Sequence, residues 1–189
     1  MQAFDLRSYL YDNPLLKEEK ETEIVNDLKD DMSSLLSNLE NELEKTTETQ
    51  NEGLLTTASI ALALPAVMGL VAKFGKSAGS LVNKILGKKP SQQDEYQKWM
   101  DKLGHIADEL HHLYMVPLTS VVKKFIKDEA KAKKVANAVF HIIVATMLIA
   151  SGVTAVKAFK AQNISLGTLE AALTAIKGGE VKAFISKLI

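Results

Sequence analysis

Five side chains able to bind a metal or move a proton crowd one short stretch of the sequence: His105, Asp108, Glu109, His111 and His112. His105, Glu109 and His112 stand at i, i+4 and i+7, so a helix would set them on one face. Imidazoles beside a carboxylate on one helical face are what a zinc or iron site uses. A working site needs more than that. There is no HExxH motif and no second acid–His pair on another helix. The same face lies opposite an apolar stripe of Tyr96, Trp99, Leu103, Ile106, Leu110 and Leu113, where solvated residues belong. The expectation is a solvated face, with no metal and no cofactor. His141 differs, because it sits inside the most apolar run of the chain. At membrane depth it would be a pore-lining or proton-sensitive group. In a protein core it would be a neutral ring bonded to a backbone carbonyl or to Thr146. With no cysteine, no GxSxG and no glycine-rich phosphate loop, no catalytic residue is assigned and an enzyme is not expected.

The elements that would carry these groups are helices. Four prolines in 189 residues, few aromatics and abundant Ala, Leu and Lys point to an all-α protein. The formal charge is balanced, with 23 basic and 23 acidic residues, but unevenly placed. Residues 1–52 hold 14 acids against 5 bases and the remainder 9 against 18. That pattern reads as an acidic arm on a basic body, and a basic body suits anionic lipid or nucleic-acid phosphate. The lysines lack interleaved aromatics, an RNP-like pattern or a recognition helix, so no sequence-specific nucleic-acid partner is expected.

Along the chain, Ile24, Leu28, Met32, Leu35, Leu39 and Leu43 recur at spacings of three and four. They predict a helix over 18–48 whose narrow apolar stripe packs on a partner helix, in cis or across a coiled coil. The 20–44 stretch is therefore the expected surface for protein partners. Residues 45–53 read as a polar linker. Two charge-free runs come next, at 53–72 and 135–156, the first continuing into a lysine-rich amphipathic stretch at 73–89. Pro90 ends that stretch and Ser91 offers an N-cap for a helix from Asp94, which Pro117 kinks or divides. A further helix carrying Leu166, Leu169, Leu173 and Ile176 is stopped by Gly178-Gly179, and a short amphipathic piece closes the chain.

Both apolar runs reach the ~20 residues that a spanning helix needs. The second is apolar on every face, which marks burial in protein or in lipid. The first is weaker, being rich in Ala, Thr and Gly with Pro65 in its middle. Lys73, Lys76, Lys133, Lys134 and Lys157 flank the runs as candidate headgroup anchors. Gly69, Gly75 and Gly79, with Ser151-Gly152, offer small-residue faces for close helix approach or homo-oligomerisation.

The opening, MQAFDLRSYLYDNPLLKEEKE, fails as a secretory signal, since it has an acid at Asp5 and no apolar core of seven residues. Phe4, Leu6, Tyr9 and Leu10 could instead pack on the body as a first helix. The stretch also resembles the capsid-targeting peptides of internal head proteins of large tailed bacteriophages. Those amphipathic segments are removed by a prohead protease after Leu-x-Glu or Ile-x-Glu. Leu16-Lys17-Glu18 matches that cleavage pattern, which implies a cut between Glu18 and Glu19 and residence in the phage head interior.

These features together predict an all-α helical bundle, or a helical membrane hairpin, with an N-terminal amphipathic arm. The expected divisions are 1–18 as a targeting peptide, 19–52 as acidic helix and linker, and 53–189 as a helical body. The leading functional expectation is a non-enzymatic virion structural protein with membrane-active helices and a lipid membrane as partner. The alternatives are a holin-like pore former and a soluble helical-bundle interaction module.

Overall fold

The computed structural model describes the backbone over residues 14–50 and 57–188, and side chains over 26–45, 67–185 and 187. The amphipathic opening, Phe4 to Tyr11, lies outside the described residues. Among the described residues there are six α-helices and no strand. They are α1 (Pro14–Gln50), α2 (Thr57–Leu86), α3 (Gln93–Lys123), α4 (Glu129–Ala150), α5 (Leu166–Gly178) and α6 (Val181–Leu188). The all-α expectation holds, as a bundle of helices packed on one another.

The apolar helix α4 is the axis of this bundle. Helices α2 and α3 pack against it, α5 and α6 cover a further flank, and α1 lies in an outer layer across α2 and α3. Helix α4 begins at a strong start signal: the Asp128 carboxylate accepts a hydrogen bond from the Lys131 N–H at 3.0 Å, satisfying one of the orphan donors of the first turn. Every residue from Ala138 to Leu148 is buried. Phe140, Ile142, Ile143 and Leu148 are almost fully enclosed, each worth roughly 1.5–3 kcal/mol over an exposed position.

Several expected boundaries are corrected. The supposed linker after Lys45 is helical to Gln50, because the polar run contains no proline or glycine before Gly53 and nothing stops the helix earlier. The hydrophobic helix expected over 53–72 does not end there, since α2 crosses Lys73 without a break and runs to Leu86. The run at 135–156 is helical only to Ala150; Gly152, at φ 83°, turns the chain away in a conformation that suits glycine. Pro117 does not divide α3. Tyr114 and Leu118, on either side of it, are both buried, and this packing carries the helix through the lost backbone bond. The N-cap of α3 is Gln92 rather than Ser91, with no side-chain cap bond. On α3 the apolar stripe drifts from Leu110 to Tyr114 and Leu118, leaving Leu113 37% exposed; steps of four follow the 3.6-residue helix better than the heptad-like step of three.

Two contacts fix how the layers meet. Gly75 and Gly79 of α2 lie so close to α4 that an added Cβ would sit 2.6 Å from Thr146 Cβ and 2.5 Å from Ala150 Cβ. Gly69, the third small residue of the expected face, has nothing within 4 Å of such a Cβ. On α1, Leu28, Met32, Leu35, Leu39 and Leu43 are all buried, so the stripe expected to seek a partner helix is satisfied in cis by α2 and α3.

Candidate functional site

The histidine-rich stretch of α3 splits into two groups with different fates. His105, Glu109 and His112 are exposed, as a solvated face requires. Among the described residues no group of three metal-ligating side chains comes together. Asp108, one residue from Glu109, turns the other way and is used structurally. Its carboxylate accepts hydrogen bonds from the Gln162 and Asn163 backbone N–H groups, both at 2.8 Å, and from Asn163 Nδ2 at 3.3 Å. It thereby pins the non-helical connector between α4 and α5. Two further α3 residues serve the same connector. Gln97 Nε2 donates to the Ala158 carbonyl at 3.0 Å, and Gly104 leaves room for the Lys160 backbone, whose carbonyl oxygen would be 1.9 Å from a Cβ at that position.

Two further imidazoles, His111 on α3 and His141 on α4, are withdrawn from solvent, the first in part and the second almost completely. The His111 ring stands edge-on to Phe140, with centroids 5.2 Å apart and planes at 86°, so it reaches the residue preceding His141. His141 is 1% exposed. Its Nδ1 lies 2.7 Å from the Asn137 carbonyl, one turn back along α4, so Nδ1 carries the hydrogen and donates it. That leaves Nε2 as a bare lone pair, and it is buried with no hydrogen-bond partner. Loss of hydration on burial pushes the His141 ring below its usual pKa, against the backbone carbonyls of Asn137 and Ser165, which favour the charged ring. The His111 ring is also pushed down, first by burial and then by repulsion from His141, with Asp108 pulling it up and His112 adding to the depression. Ser165 is itself the N-cap of α5, its Oγ accepting from the Thr168 N–H at 3.3 Å.

The remaining candidate residues are scattered. Lys73, Lys76, Lys134 and Lys157 are exposed, while Lys133 pairs with Glu129 at 2.9 Å. Lys73 also lines an open groove between α1 and α2 with Asp31, Ser34, Asn38 and Ser77, where Ser77 Oγ donates to Asp31 Oδ2 at 2.9 Å. Trp99 is buried, its indole N–H donating to the Gly87 carbonyl at 3.2 Å. Leu16, Lys17 and Glu18 lie in the opening turns of α1, and their backbone is thus helical where cleavage is expected. The Thr146 hydroxyl, offered as a partner for His141, donates instead to the Ile142 carbonyl at 2.8 Å.

Sequence reasoning missed the work of Asp108 and of Ser165. The signal for Ser165 was present, a Ser ahead of an apolar-periodic run. For Asp108 there was none, because its partners lie more than 50 residues away on the connector. No protein-family model, curated protein or solved structure matches this chain.

Proposed function

We propose that the protein is a non-enzymatic helical-bundle module, structural or interactive in role, whose apolar helix α4 serves as its internal core. One observation carries this reading. Among the described residues only α4 is long and apolar enough to cross a membrane, and 78% of its most apolar window is buried by its own neighbours. The polar groups beside it support a structural interior, since Asp108, Thr146, Ser151 and His141 all spend hydrogen bonds on backbone. With the apolar stripe of α1 satisfied in cis, a protein partner would meet the outer acidic face of α1, where Asp27 and Asp30 are exposed. Single introduced thiols test the core assignment, because the chain has no cysteine of its own. In detergent-free buffer, a thiol at Ile143→Cys should resist maleimide until denaturant is added, while one at Val116→Cys, a position 76% exposed, reacts at once. Equal labelling of the two would sink the reading.

A second reading, a membrane-active virion protein, draws on a specific feature. Helix α4 is about 33 Å long at ~1.5 Å per residue, enough for a bilayer core. Lysines lie beyond both of its apolar ends, Lys133 and Lys134 before and Lys157 after. The glycine seam to α2 is of the kind that also joins helices in lipid. The head-interior part of this reading rests on Leu16-Lys17-Glu18 alone. It requires a mature chain that begins at Glu19 when virion protein is weighed; virion protein that retains Met1 to Glu18 refutes it.

A further inference from the structure

One end of the bundle carries an excess of positive charge. Between Lys123 and Lys134, where α3 turns into α4, six lysines stand against two acids. All six are exposed. Three of them are paired: Lys123 and Lys133 share the Glu129 carboxylate at 3.1 and 2.9 Å, and Lys124 bonds Glu40 of α1. The second acid, Asp128, is engaged by the Lys131 backbone N–H as the cap of α4. The ammonium groups of Lys127, Lys131 and Lys134 are left without a partner among the described residues.

The fold concentrates that excess. Lys131 and Lys134, three residues apart, share one side of the opening turns of α4, and Lys127 stands just before the Asp128 cap. Phe125 and Ile126 are buried and tie the turn to the core. Helix α2 runs in the same direction as α4, with Gly75 beside Thr146 and Gly79 beside Ala150. Its opening turns, uncharged until Lys73, therefore bring no acid to this end. On α1, Glu40 is spent on Lys124 and Glu42 on Lys45, and Glu44 has a partner as well. We propose that the α3–α4 turn is a docking surface for anionic phospholipid headgroups, used by the folded bundle with α4 still covered.

The chemistry of the patch favours a lipid surface over a nucleic acid. Every basic residue of the chain except Arg7 is a lysine. Lysine ammonium groups are hydrated point charges that suit the diffuse negative potential of a membrane, whereas the planar fork of arginine grips a phosphodiester or a base edge. The one aromatic ring of the turn, Phe125, is buried, so no base can stack there. Burial of Phe125 and Ile126 also leaves the turn nothing apolar to insert. Attachment is then electrostatic, weakened by salt and reversible. This distinguishes it from insertion, which only detergent reverses. The docking rests on the core placement of α4.

Co-sedimentation of the full chain with vesicles tests it. Vesicles of phosphatidylcholine with about 30% phosphatidylserine should bind the protein at about 50 mM salt and release it at about 0.5 M. Pure phosphatidylcholine should not bind it. Each lysine at such a surface contributes about fivefold, so Lys127→Gln, Lys131→Gln and Lys134→Gln together should weaken binding roughly a hundredfold. The equal-charge control, Lys73→Gln, Lys76→Gln and Lys84→Gln on α2, should weaken it less than about fivefold. On the vesicles a thiol at Ile143→Cys should still resist maleimide. No binding to the anionic vesicles, an equal loss in the α2 control, tighter binding to a mixed-sequence duplex of about 20 base pairs, or labelling of Ile143→Cys only when vesicles are present would each overturn the docking. Labelling in buffer alone would instead sink the core reading, and the docking with it; protection in buffer without vesicle binding overturns the docking alone.

Discussion

The two runs of the sequence at 53–72 and 135–156 are alike in length and in lacking charge but are used differently. The second forms most of α4 and is buried on all sides through Leu148. The first opens α2, a helix whose described part alternates buried Val67, Val71 and Phe74 with exposed Gly69, Lys73 and Lys76. The difference arises from the residues beyond each run. Lys73, Lys76 and Lys84, interleaved with apolar residues, oblige α2 to keep one face in water. The later turns of α4 stay apolar until the helix ends. Absence of charge therefore marks burial only where it persists around the whole helix.

The largest expected effect tests that contrast directly. Phe140→Ala on α4 should cost about 3–5 kcal/mol in urea unfolding, as for a deleted aromatic in a closed core. Leu70→Ala, on the half-buried side of α2, should cost less than half as much, and equal costs would erase the distinction between the two helices. Within α2, Gly79→Val should destabilise by about 3 kcal/mol, since its side chain would collide with Ala150 and the Met147 carbonyl oxygen, 2.8 Å from a Cβ there. Asp108→Ala, which frees two backbone N–H groups of the connector, should cost about 1–2 kcal/mol with faster exchange confined to residues 158–165.

Acidification should act through His141. Its folded pKa lies below the ordinary 6.5, so the unfolded chain binds the proton first. Stability is then unaffected at higher pH and falls as pH drops below about 6.5, by at most about 1.4 kcal/mol per pH unit for the single group. Urea midpoints between about pH 7.5 and about pH 5 should show this slope, and His141→Gln should flatten it. Smallest of all, Gly69→Ala should stabilise by about 1 kcal/mol, because it removes a glycine from an open helix position. A loss there would mean that Gly69 packs against something after all.

How much of this was legible in the sequence depends on whether the cause was local. The apolar stripe of α1 was readable from spacing alone, as were the solvated His105–Glu109–His112 face and the stop at Gly179, whose φ of 70° suits glycine. Whether the stripe met its own chain or another was not, since periodicity defines a face but not its neighbour. The same holds for the glycines: Gly69, Gly75 and Gly79 are equivalent as letters, and only the crossing of α2 with α4 separates them. The His141 environment was half legible. The backbone carbonyl acceptor was expected, whereas the enclosure of the other ring nitrogen without a partner comes from tertiary packing.

The leading proposal for this protein depends on the membrane-length helix α4 being the core of a bundle that covers it. High-speed sedimentation of the full chain in detergent-free buffer, after gentle lysis, tests this most directly. A covered α4 predicts that the protein stays in the supernatant as a folded, cooperatively unfolding species. Recovery in the membrane pellet, released only by detergent, would contradict it.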